Sequence, residues 1–113
     1  MHEMSLSLET VELVVESAKQ GGFQRVSAVW IEIGALSCIE PEAIEFSYQI
    51  ATRGTMAENS KLHIESLPGE AYCFGCQKNI VLNQRGEPCP CCGGFELKVM
   101  QGDELRVKEI EVL

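Results

Sequence analysis

No stretch of this 113-residue chain is basic. Nine Lys and Arg stand against seventeen Asp and Glu, a net charge of −8. In the first 66 residues only Lys19, Arg25, Arg53 and Lys61 are cationic. A phosphate backbone is bound by clustered cations, so this composition argues against nucleic-acid binding. Long apolar runs are also missing. None approaches the roughly 20 residues that a spanning helix needs. The first residues are acidic and amphipathic, not a basic stretch followed by an apolar one, so no secretory signal is read. The expected compartment is the cytoplasm, where thiols stay reduced. There is no Gly-rich phosphate loop and no Ser/His/Asp-type set, so no catalysis is expected.

Periodicity supplies the scaffold. Met4, Leu8, Val11, Val15 and Ala18 recur at helical spacing opposite Glu9, Glu12 and Glu16, which predicts an amphipathic helix. Gly21 and Gly22 end it. Residues 26–33 read as a β-strand closing at Gly34. Pro41 suits a first helical position, and Ile44, Tyr48 and Ala51 give the stripe of a second helix. Residues 61–67 alternate as a strand. A last strand runs from Glu104 to Leu113, and its apolar phase changes near Lys108-Glu109, which implies a bulge. The expected fold is a small α+β domain: a three-stranded sheet with two helices, plus an inserted zinc-ribbon-like subdomain before the last strand.

That insertion carries the strongest signal. Cys73-Phe-Gly-Cys76 and Cys89-Pro-Cys-Cys92 are two C-x-x-C pairs separated by twelve residues. Pairs at this spacing converge as the two knuckles of a tetrahedral thiolate site. Zinc is the preferred ion, with iron in the same four-sulfur cage as the alternative. A closed set of four thiolates leaves no position open to a substrate, which argues against a zinc or iron–sulfur redox enzyme. Cys91 is expected to point away from the metal, and Cys38 to be a small, partly buried hydrophobe. His63 alternates with Leu62 and Ile64 and is expected to face solvent. Trp30 reads as packing.

The chain opens Met1-His2-Glu3. The Met1 amine, the His2 backbone nitrogen and the His2 ring can all reach one ion, a nitrogen-rich set that suits Ni(II) or Cu(II). Glu3 can complete or neutralise the site.

Met1-His2-Glu3 at the start, Gly34-Ala35-Leu36-Ser37 after a strand and two late C-x-x-C pairs together resemble the hydrogenase nickel-incorporation family, HypA/HybF. The resemblance covers essentially the whole chain. It implies a metallochaperone that delivers Ni(II) to the precursor of the [NiFe]-hydrogenase large subunit, working with a HypB-type GTPase. It implies His2 as the essential nickel ligand, with the Met1 amine and Glu3 beside it. Glu40 stands in the loop where some members place an acidic nickel ligand. Cys73, Cys76, Cys89 and Cys92 would hold structural zinc. Residues 1–69 with 99–113 would form the nickel-binding α+β domain, and residues 70–98 the zinc-binding subdomain.

Overall fold

The computed structural model describes residues 2–113. In chain order the elements are α1 (Glu3–Gln20), β1 (Val26–Gly34), α2 (Pro41–Ala51), β2 (Lys61–Leu67), β3 (Gly69–Cys73), β4 (Lys78–Leu82), β5 (Leu97–Gln101) and β6 (Leu105–Val112). They form two sheets of three strands, ordered β2–β1–β6 and β4–β3–β5. Contacts divide the chain into two compact units. The first holds Met1–Ile31, Ile39–Glu65 and Arg106–Leu113; the second holds Glu32–Cys38 and Ser66–Leu105.

In the first unit α2 carries the chain from β1 to β2. Trp30 stacks on His63, and further along Ala35 N–H bonds the Leu67 carbonyl. Both strands therefore advance in the same direction, as a helical crossover requires. β6 returns antiparallel: Leu113 N–H bonds Arg25 O, while Gly34 N–H bonds Glu104 O. Val26, Ala28, Val29 and Ile31 of the central strand are buried, as are Ile44 and Tyr48 of α2. Burial raises the Tyr48 hydroxyl pKa, and its oxygen pairs with Ser60 Oγ at 2.6 Å, so neither of these buried hydroxyls is stranded. In β6 the consecutive residues Lys108 and Glu109 are both exposed, which is the phase change read from the sequence.

The face that α1 buries differs from the expected one. Val11 and Ala18 are buried as expected, but their companions are Glu3, Ser7, Thr10 and Val14. Met4 and Leu8 lie at the surface, Leu8 with 53 % of its area exposed. The reason is the neighbour. α1 packs on α2, and Ser7 Oγ donates to the Ile44 carbonyl at 3.5 Å. Small polar side chains allow that close approach where larger aliphatic ones would hold the helices apart.

The second unit is built on β4–β3–β5. Ala71, Cys73, Ile80 and Leu82 point into one core together with Leu36 and Cys89. Leu36 is fully buried, its N–H bonds Gly102 O at 2.7 Å, and its carbonyl accepts from Arg85 Nε at 2.6 Å. The sequence pattern marks no strands in this segment, and the structure adds three. Gly34 and Gly102 touch backbone to backbone, so a Cβ on Gly34 would collide with the Gly102 carbonyl. Gly34→Ala is therefore expected to destabilise the protein by about 1–3 kcal/mol, the range for overpacking a tight site. Thermal unfolding followed by circular dichroism should show a lowered midpoint.

Candidate metal centre

Two turns of the second unit face each other. The first leaves β3 at Cys73: Gln77 N–H bonds Cys73 O at 2.8 Å, and Cys76 N–H points at Cys73 Sγ at 3.4 Å. The second repeats the backbone bond, Gly93 N–H to Cys89 O at 2.8 Å, but here the N–H two residues on, that of Cys91, points at Cys89 Sγ at 3.4 Å. Gln77 and Gly93 occupy the same place in their turns, and both adopt the left-handed region, φ 56° and 73°. Glycine takes this conformation freely and Gln77 does not. The turn thus imposes a backbone cost at Gln77 that its hydrogen bonds must offset.

The four sulfurs of Cys73, Cys76, Cys89 and Cys92 all lie within 4.8 Å of one another. Cys73 Sγ is 3.6 Å from Cys92 Sγ, and Cys76 Sγ is 3.8 Å from Cys89 Sγ. A tetrahedron with metal–sulfur bonds of about 2.3 Å has edges of about 3.8 Å, so the cage has the dimensions of a zinc–thiolate site. All six cysteines are free thiols. Four thiols this close do not ionise alike. The Cys89 thiol is lowered to about 6, first by the Cys92 backbone N–H and then by that of Cys91, against desolvation. Cys76 is pushed up to about 12, first by its hydrogen bond with Cys92 and then by burial. A dication at the centre stabilises all four as thiolates, so metal uptake must release protons.

Cys91 is exposed and outside this set. Cys38 is also exposed, with φ 61°; the expectation of partial burial fails because the left-handed turn before α2 leaves its side chain outside the core. His63 is exposed as expected. It stacks on the half-buried Trp30, ring centroids 4.6 Å apart and planes 12° from parallel.

At the other candidate site, Met1 lies outside the described residues. His2 is the N-cap of α1. Its carbonyl accepts from Leu6 N–H at 3.0 Å, while its exposed side chain makes no capping bond. Glu3 is buried, 9 % exposed, and the Glu40 backbone N–H donates to its carboxylate. Glu40 is itself the N-cap of α2. The starts of the two helices therefore meet at Glu3. Among the described residues the cysteines are the one group of three or more potential ligands that converge. The side chains of His2, Glu3 and Glu40 form no such group.

A family profile described as hydrogenase/urease nickel incorporation, metallochaperone, HypA, matches residues 1–112. The chain belongs to the HypA family. It is a nickel metallochaperone of hydrogenase maturation with a four-cysteine cluster suited to a structural metal. The hydrogenase maturation factor HypA of Aeromonas salmonicida is 46 % identical over 112 residues, 99 % of each chain. HypA of Rhodopseudomonas palustris (strain BisA53) is 50 % identical over the same span. HybF of Salmonella typhimurium is 46 % identical, again over 99 % of each chain. The solution structure of the nickel metallochaperone HypA from Helicobacter pylori has the same fold. It superposes with a TM-score of 0.73 at 23 % identity, over 100 % of this chain and 98 % of that one.

Proposed function

We propose that this HypA-family chain takes up Ni(II) at its amino terminus and holds Zn(II) at Cys73, Cys76, Cys89 and Cys92. It hands nickel to the precursor of the [NiFe]-hydrogenase large subunit in the cytoplasm, together with a HypB-type GTPase, and catalyses no reaction of its own. His2 is the essential nickel ligand. The Met1 amine, Glu3 and Glu40 are further donors.

The observation that carries this reading is the state of His2: exposed at the start of α1, with a ring not used for capping. Glu3 follows His2 directly in the chain and supplies a carboxylate. The Glu40 backbone N–H holds the Glu3 carboxylate, and His2 and Glu40 are the N-caps of α1 and α2, which supports drawing donors from these two helix starts. Zinc, when bound, cross-links the two turns of the second unit and supplies no reactive chemistry, because its four thiolates close the site. Soft sulfur donors retain one ion, and nitrogen and oxygen donors carry the other, so ligand type separates the cargo from the resident metal. No helix among the described residues is long and apolar enough to cross a membrane.

The reading makes nickel affinity depend on pH. An imidazole and an amine bind Ni(II) only after losing a proton. Affinity is expected to fall steeply from pH 8 to pH 6 while zinc stays bound. Calorimetric titration with Ni(II) across that window checks it. A flat profile would count against a site built from amine and imidazole.

A further inference from the structure

Burial is what keeps a structural cysteine inert, and the four cage cysteines are buried unevenly. Cys73 and Cys89 are 1 % and 2 % exposed and belong to the core of the second unit. Cys76 is partly buried against that core, whereas Cys92 is exposed. The difference has a local cause. Gly75 and Gly94 stand beside the Cys92 sulfur, and a Cβ on either would lie 3.4 Å from Sγ. Neither residue carries one, so the sulfur has no side-chain cover on those two sides. Cysteines that ligate a metal are thiolates, the form that attacks electrophiles. In the loaded cage access therefore decides which sulfur reacts, and Cys92 is the accessible one. Across the cage its sulfur is 3.6 Å from that of Cys73.

We propose that the cage is a peroxide-reactive site, entered at Cys92 and closed by Cys73. The Cys92 thiolate attacks one oxygen of hydrogen peroxide. An S–O bond forms, the O–O bond breaks and hydroxide leaves, giving a sulfenic acid. The Cys73 thiolate then attacks the Cys92 sulfur. An S–S bond forms, the S–O bond breaks and a second hydroxide leaves. Two electrons have passed from the sulfurs to the peroxide oxygens. Cys91 is exposed and next in sequence, but it is the wrong partner. Adjacent Cα atoms are about 3.8 Å apart, short of the span of about 4.4–6.8 Å that a disulfide bridges. The new disulfide removes two of four thiolate donors and leaves only Cys76 and Cys89. Metal retention, and the order of the second unit with it, thus depends on reducing surroundings. A dithiol reverses the step by exchange. The inference rests on zinc occupying the cage.

Treating the zinc-loaded full chain with equimolar hydrogen peroxide tests it, with freed zinc followed by a colorimetric chelator. Zinc is measured before peroxide is added. An empty cage at that point would overturn the zinc reading and this one together. A filled cage that ignores peroxide overturns this one alone. Zinc is expected to leave as the disulfide forms, peptide mapping should place that disulfide between Cys73 and Cys92, and dithiothreitol with added zinc should restore the site. Gly75→Ala/Gly94→Ala keeps all four ligands and covers the Cys92 sulfur. Neither glycine has a positive φ, so alanine fits both positions. Release from this variant should be slower by about threefold or more. Cys38→Ser/Cys91→Ser should release zinc at the native rate. A disulfide that leaves out Cys92, an alanine pair that reacts as fast as the native protein, or a response that vanishes with Cys91 overturns the proposal.

Discussion

Placing two residues ahead of Met1 is expected to cost the protein at least a tenfold loss of nickel affinity, about 1.4 kcal/mol. The extension keeps His2, Glu3, Glu40 and every other side chain. It converts the terminal amine into an amide and moves the charge away. A site made of side chains alone would tolerate it. A site that chelates through the terminus would not. His2→Ala is expected to go further and abolish specific nickel binding, with zinc content and fold unchanged. The fold should survive because the His2 side chain is exposed and makes no capping hydrogen bond. Titrating the native, extended and His2→Ala proteins with Ni(II) by calorimetry decides the matter, and equal affinities for the native and extended forms would refute terminal chelation.

The regular elements were legible because each is marked by local chemistry. Pro41 opens α2 and apolar residues recur down both helices. The displaced phase in the last strand reappears as two adjacent exposed residues, Lys108 and Glu109. The cage was legible because cysteine spacing is chemically specific: the two turns carry the same hydrogen bonds four residues apart.

Other features are not legible in the sequence, for different reasons. On α1, periodicity weighs hydrophobicity and so favoured Met4 and Leu8, but the closest neighbour is another helix and the small Ser7 faces it. That choice is tertiary, with no mark in the local sequence. For the second sheet the mark was present. Ala71 and Cys73, Ile80 and Leu82, and Leu97 and Val99 alternate towards one core. Each run is only five residues long, and the cysteines and turns between the runs hid the alternation. Leu36 is a third kind of case. It reads as a loop residue, yet it fills the cysteine core, held by backbone bonds to residues far along the chain.

Loss of the metal is expected to unmake the second unit and spare the first. Cys73 and Cys89 are buried members of its core, so two effects of Cys73→Ala or Cys89→Ala have to be separated. Alanine keeps the apolar Cβ and leaves only a small cavity, which by itself costs on the order of 1 kcal/mol. Structural zinc contributes on the order of 10–16 kcal/mol of apparent binding energy in small modules. The metal term is larger by about an order of magnitude, so the variant should behave as a zinc-free protein and not as one with a small packing defect. About one zinc per chain should be found in the native protein and none in Cys73→Ala, Cys89→Ala or Cys92→Ala. The α-helical circular dichroism should persist, because α1 and α2 pack on each other within the first unit. Amide resonances of residues 66–105 should collapse towards random-coil positions. Cys91→Ala is the control: its sulfur lies outside the four that converge, so zinc and the second unit should both remain. Metal analysis of the four variants checks the assignment. If Cys91→Ala emptied the site and Cys92→Ala left it full, the second knuckle would close on Cys91, and the pairing of Cys73 with Cys92 across 3.6 Å would not be the edge of the metal site.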